Sequence, residues 1–426
     1  MSFVHRILLA ILAAALAVAA GAAQRGSPAA TTAADDVRTL MQRIREIHPS
    51  PFHATPEPAF QAAADNLAAR APTLSPDQLL VELMRFTCLL GERDGHSGIF
   101  PLDSSHRHVL HLFPLYLYKF GDGLFVVAAP GRPALVGSRL LAIDGVSADT
   151  LERQVRPLVP RDNEATRTDR FMSFMLTAEV LHGLGLRGGT GPARFTLQKP
   201  GAAANDVTLA PVTAAQYLRL MEPAFPGFVY ALPRRPAPLY LRRRGQDHYV
   251  TTIARGRVVF VGYNFTLGST FAEARKVLRL AKRKKVRRVI VDVRLNPGGD
   301  NNTYVDLLRA LRSKSVNRRG RLVVLISRST FSAAQNFITE LERKTRAVFI
   351  GETSGGSPNL YGDAAEVYLP TAGVNVEVAG RYWQKSFAAD SRVAIEPKVT
   401  VPLGSRAFFR GRDPVLAAAL AYRSGR

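Results

Sequence analysis

Val286-Arg-Arg-Val-Ile-Val-Asp292-Val-Arg294-Leu-Asn296-Pro-Gly298-Gly299 reads as a buried strand that stops abruptly on two glycines. The β-branched run Val286–Val293 is too short and too apolar for a surface strand, and a helix is expected from Thr303. The same texture recurs on both sides. Arg257–Tyr263 reads as a strand followed by a helix from Phe271. Leu322–Ser327 leads to a helix from Ser332, and Ala347–Gly351 is the next strand. Strands that alternate with helices need parallel crossovers, so residues 249–426 are expected to form an α/β domain. Ala364–Pro370 and Val374–Trp383 read as a pair of strands within it.

Outward from that domain the texture changes. Residues 35–104 have a helical period: Val37, Leu40, Met41, Ile44 and Ile47 recur at spacings of three and four, and Pro49 and Pro51 end the helix. Ser75 before Pro76 reads as an N-cap with proline at the first helical position. Residues 105–215 are β-rich. Val109–Tyr118 and Leu124–Ala129 are expected strands joined at Gly121-Asp-Gly123, and a strand ending at Asp144-Gly145 precedes a helix from about Asp149. That last arrangement resembles a PDZ-type module. Residues 216–248 connect it to the α/β domain. The fold class expected is multi-domain α/β.

The N-terminus carries a basic start at His5 and Arg6, an apolar run Ile7–Ala19 and the small residues Ala20-Gly-Ala-Ala23. This is the layout of a secretory signal peptide over 1–23, with a linker at 24–34, and it predicts export to a periplasmic or extracellular location. A retained anchor is the alternative.

The chain has 426 residues and a formal charge of +23. The charge is spread along the sequence, its densest run being Arg275–Arg288, which reads as a solvated helix face. It is compatible with an anionic envelope surface, and no motif for reading nucleic acid accompanies it. The single cysteine, Cys88, cannot form an internal disulfide and reads as a buried structural thiol. His106, His108 and His111 invite a metal reading, but on a strand His111 faces away from the other two, so no metal site is expected.

Two residue groups suggest chemistry. The Gly298-Gly299 turn frees backbone N–H groups at a sheet edge, where they can form an oxyanion hole; a dinucleotide loop or an ordinary strand–helix turn fits equally. Ser332 opens a helix directly after a strand. It is either an N-cap or a nucleophile in the field of the helix N-terminus. A serine nucleophile needs a base. The segment Gly351–Ser357 contains no lysine, and Asp94-Gly-His96 supplies a histidine on a loop after the helical region.

Four motifs follow one another along the chain: Asp292-x-Arg294-x-Asn296-x-Gly298-Gly299, Thr330-Phe-Ser332-Ala-Ala, Gly351-Glu352-x-x-Gly355-Gly356 and Ile395-Glu-Pro397. They resemble the tail-specific (C-terminal processing) and tricorn-type serine peptidases over about residues 35–420. The resemblance implies a crotonase-like α/β catalytic domain, Ser332 as nucleophile and His96 as base. It implies oxyanion donors at the N–H of Gly298 or Gly299 and of Ala333. Ser357 stands where the serine–lysine members have lysine, which favours the serine–histidine branch. In that branch an acidic residue near the terminal Pro motif joins the catalytic group; Asp390 is the first candidate and Glu396 the second. Lys398 stands where the family usually has Asp. The implied reaction is peptide-bond hydrolysis of a polypeptide substrate through an acyl-enzyme, with no cofactor, and the PDZ-like module would bind substrate termini or gate access. A non-catalytic binding protein on the same scaffold is the alternative. If His96 is the base, activity is expected to rise with pH through an apparent pKa of about 6 to 7. The helical region must then cap the C-terminal edge of the sheet to bring His96 to Ser332.

Overall fold

The computed structural model describes residues 32–221 and 237–423. The expected signal segment 1–23, most of the 24–34 linker and part of the 216–248 connector lie outside them. The first described helix, Ala33–Ile47, starts inside the stretch read as linker, because Thr32 and Asp35 form a reciprocal capping box. Helices Glu57–Arg70 and Pro76–Thr87 follow, the latter capped by Ser75 and Gln78 in the same way.

The β-rich region holds β1 (His111–Leu112), β2 (Tyr116–Phe120), β3 (Gly123–Ala128), β4 (Arg139–Ile143), β5 (Val146–Ser147), β6 (Ala193–Gln198), β7 (Ala204–Leu209) and β8 (Val212–Thr213). The strand expected over Val109–Tyr118 is broken in two. Pro114 lies in the gap, where its ring removes the N–H that a continuous ladder would need. The main sheet runs β2-β3-β4-β6-β7, with β5 beside β4 and every pairing antiparallel. Asp144, in the left-handed region at φ 47°, makes the turn to Gly145.

The α/β domain contains β9 (His248–Ile253), β10 (Val258–Tyr263), β11 (Arg288–Asp292), β12 (Leu322–Ile326), β13 (Val348–Gly351), β14 (Asn359–Leu369), β15 (Val374–Gln384) and β16 (Val399–Thr400). Its sheet has the order β16-β13-β12-β11-β10-β9, parallel except for the antiparallel edge pair β9–β10. Strands β10 and β12 are buried along their whole length, as expected where helices cover both faces.

Strands β14 and β15 form a long antiparallel hairpin that leaves this sheet and reaches the helical region. One continuous apolar core includes Val37, Leu40 and Ile44 of the first helix, Val126 and Phe195 of the β-rich sheet, and Val374, Val376 and Val378 of β15. A second core fills the α/β sheet around Val259, Val291, Val324 and Phe337. The hairpin is therefore shared apolar mass, and burying it joins the helical region to the α/β domain.

Candidate active site

Ser332 follows β12 and opens the helix Ser332–Lys344. Its backbone lies in the left-handed region at φ 54°. For a serine this is a strained conformation worth about 1–3 kcal/mol, sustained only by its surroundings. Those surroundings are fixed. Thr330 is fully buried, donates its hydroxyl to the Val293 carbonyl at 2.9 Å and accepts the Ser327 N–H at 3.1 Å. The Phe331 N–H donates to the Asn296 carbonyl at 3.1 Å. The turn lifts the serine hydroxyl out of the helix line, a geometry shared with nucleophile elbows.

Gly298, at φ 112°, lies directly against the serine. A Cβ added there would come within 2.6 Å of the Ser332 Cβ and 3.0 Å of its Oγ. Its N–H is already donated to Asn296 Oδ1 at 3.0 Å, and the fully buried Asn296 also donates Nδ2 to the Tyr263 carbonyl at 3.0 Å. Of the three oxyanion positions read from the sequence, Gly298 thus serves as a space-maker whose N–H is in use. The N–H of Ala333, in the first helical turn, has no intrahelical acceptor. The Gly299 N–H is engaged by no backbone carbonyl among the described residues.

His96 Nε2 lies 3.0 Å from Ser332 Oγ. The histidine loop is held on three sides. Gly98 and Glu377 of β15 exchange backbone hydrogen bonds at 2.8 and 2.9 Å, and Ser97 Oγ accepts the Ala379 N–H at 2.8 Å. The Gly95 N–H donates to Asp162 Oδ1 at 2.8 Å. Asp94, buried, accepts the Ser97 N–H at 3.1 Å and lies 3.2 Å from the equally buried His48 Nε2. The His96 ring stacks on Phe331 with centroids 4.5 Å apart, and the Arg170 guanidinium sits 4.3 Å from the centre of the same Phe331 ring.

Burial pulls the His96 pKa down to about 4, with Arg170 adding to the effect and Asp94 and the Tyr361 backbone opposing it. Its Nδ1 is buried without a well-aligned hydrogen-bond partner among the described residues. The acidic residue expected there is elsewhere. Asp390 is bound to Arg392 at 2.8–3.3 Å, and Arg392 continues to Glu342 at 2.8 and 2.9 Å. Glu396 accepts the Thr353 hydroxyl at 2.5 Å. Asp390 is spent on Arg392, two residues along its own chain, because that cation meets its carboxylate locally and holds its pKa well below the usual range. Neither acid contacts His96.

Sequence reasoning did not single out Asp162, Phe331 or Arg170. Asp162 precedes Asn163, the N-cap of the helix Glu164–Met175, and nothing in that pattern distinguishes it from ordinary capping chemistry. The three histidines weighed as a metal site diverge: His106 Nδ1 accepts the Asn375 N–H, His108 meets Asp77 and His111 meets Glu179. Burial pushes the Cys88 thiol up to about 12, so it is not a reactive thiolate.

Residues 263–386, which contain the glycine turn and Ser332, match the profile of peptidase family S41. Over that segment the chain is similar to the S41 peptidases. Its fold is that of solved structures of CPAF. Mature CPAF complexed with lactacystin is 14% identical, with 89% of this chain and 95% of that chain covered at a TM-score of 0.61. A CPAF mutant is 12% identical, with 93% and 99% covered at 0.62. The photosystem II D1 C-terminal processing protease is 15% identical, with 88% and 94% covered at 0.43. No curated protein matches the sequence. The S41 segment supports a serine-type peptidase with a polypeptide substrate.

Proposed function

We propose that this chain is an exported S41-type peptidase that hydrolyses peptide bonds through an acyl-enzyme on Ser332, with His96 as general base. The observation that carries the reading is the 3.0 Å approach of His96 Nε2 to the hydroxyl of a serine held in a strained turn. His96, neutral at physiological pH, takes the hydroxyl proton as Oγ attacks the scissile carbonyl. The oxyanion that forms is received by the N–H groups of Ala333 and Gly299, aided by the helix N-terminus. The protonated ring then delivers its proton to the leaving amine, and water releases the acyl group by the reverse sequence. Stacking on Phe331 and the clamps on the Asp94–Gly98 loop orient the imidazole in the absence of a carboxylate partner. The β-rich module is a PDZ-like element that binds substrate termini or gates access. Export rests on the signal-like segment at 1–23.

A fluorophosphonate probe tests the assignment. The expected result is one adduct, mapped by peptide mass to Ser332, and none in Ser332→Ala. An adduct elsewhere, or none on folded protein, would overturn the nucleophile and favour a binding protein on this scaffold.

A further inference from the structure

Each parallel strand of the α/β sheet enters from a cationic turn. Arg257 precedes β10, residues 282–287 precede β11, residues 318–321 precede β12, residues 343–347 precede β13, and Lys398 precedes β16. In a parallel sheet all these turns lie on one edge, the N-terminal one. Charge that is scattered along the sequence is thereby gathered onto a single face. The turns 282–287, 318–321 and 343–347 contain no acidic residue. Ser332 stands at the other end of β12. Five residues of strand separate the two ends, roughly 16 Å at about 3.3 Å per residue.

The edge also holds a cleft of about 230 Å³, lined by Arg319, Arg346, Lys398 and Tyr422 together with Gly320, Ala347 and Val348. Among the described residues none of these three cations has an ion-pair partner. Beside the cleft, Leu420 is exposed on the helix Pro414–Ala421. Arg288 fixes that helix end to the edge by donating to the Leu420 carbonyl at 3.0 Å and the Tyr422 carbonyl at 2.5 Å.

We propose that this edge is a docking face for an anionic phospholipid surface, with a headgroup phosphate seated between Arg319, Arg346 and Lys398. The three cations supply convergent donors for a phosphate, and Leu420 supplies an apolar contact at the level of the headgroups. A lipid surface fits better than nucleic acid for two reasons. The cations lie along a sheet edge, and apart from Tyr422 in the cleft the turns 282–287, 318–321 and 343–347 add no aromatic ring on which successive bases could stack. Docking on this edge leaves the Ser332 cleft facing away from the membrane. The inference does not depend on the peptidase reading.

The test is co-sedimentation of the full chain with vesicles of phosphatidylcholine alone and of phosphatidylcholine with about 30% phosphatidylglycerol. Binding to the anionic vesicles only is expected, and it should weaken as salt rises from about 50 to 500 mM. The combined variant Arg319→Glu, Arg346→Glu, Lys398→Glu should reduce partitioning at least about 100-fold while cleavage of a soluble peptide is unchanged. The neutral set Arg319→Gln, Arg346→Gln, Lys398→Gln guards against misfolding of the reversed one and should lose on the order of 100-fold. The combined reversal Arg139→Glu, Arg153→Glu, Arg194→Glu on the β-rich module should bind as the parent does. Equal loss in that control would mean that net charge alone acts and would overturn the site. Equal binding to neutral vesicles would overturn it, as would tighter binding of a short DNA duplex at the same salt.

Discussion

Asp162 Oδ2 accepts the backbone N–H of Ser357 at 2.8 Å, across 195 positions of sequence. The other oxygen of the same buried carboxylate holds the Gly95 N–H, next to His96. Asn163 extends the clamp by donating to the carbonyls of Ser354 and Val393 at 3.1 and 2.7 Å. The loop 354–357 in turn packs on the serine helix: a Cβ on Gly356 would lie 2.6 Å from the Cβ of Gln335. One carboxylate thus ties the loop of the base to a loop seated on the helix of the nucleophile.

Replacing Asp162 by Asn keeps the shape but turns an amide N–H₂ toward one of the two N–H donors. A buried N–H left unpaired costs about 1–3 kcal/mol. We expect a lower thermal midpoint and a fall of about 10-fold or more in kcat/KM. Steady-state kinetics with wild-type turnover would show that the clamp does not position His96.

The pH dependence of stability is expected to carry the Asp162 signature. Burial raises its pKa to about 7, against the N–H donors of Ser357 and Gly95 and against Arg170. A folded-state pKa above the unfolded value means that its contribution is fully present below about 3.8 and is lost as pH rises through about 7. Denaturant midpoints between about pH 4 and 8 should show this downward slope, and Asp162→Asn should remove it.

His96 has the opposite sign. Its pKa is depressed to about 4, so its contribution is present above about 6.5 and lost as pH falls toward 4. The same depression moves the acid limb of the kcat/KM profile. Activity should persist down to about pH 5, below the 6 to 7 expected from the sequence. A half-maximum near 6.5 in the free enzyme would show that burial does not depress the base. His96→Ala should lose about three orders of magnitude in turnover.

Asp390→Asn should change kcat by less than about threefold, because the carboxylate serves Arg392 and not the histidine. A loss comparable to that of His96→Ala would place Asp390 in the catalytic group after all.

Gly298→Ala should reduce hydrolysis by at least about 100-fold and destabilise the fold by about 1–3 kcal/mol, since the new Cβ collides with Ser332 and the residue must keep φ 112°. Active-site titration and thermal melts check both parts.

Much of the α/β domain was legible because its signals are local. The β-branched run 288–292 is a strand wherever it is placed, and in the helical region Ser75-Pro76 caps a helix through bonds spanning three residues, whereas the Thr32 cap lies in the stretch that reads as linker. The hairpin Asn359–Gln384 was legible as paired strands, but its contact with the histidine loop was not, because burial against another region leaves no periodic mark on the strand itself.

The sequence by itself determined the strand–helix alternation, the glycine turn at 298–299 and the serine after β12, since these follow from backbone sterics and side-chain period within a few residues. Only the tertiary structure decided who partners whom. It seats His96 on Ser332, sends Asp390 to Arg392, spends the Gly298 N–H on Asn296 and collects scattered cations onto one sheet edge. The physical reason is that hydrogen bonds and electrostatic fields act over a few ångströms of space, and only the folded packing sets which residues, however distant in sequence, share that space and how much water remains between them.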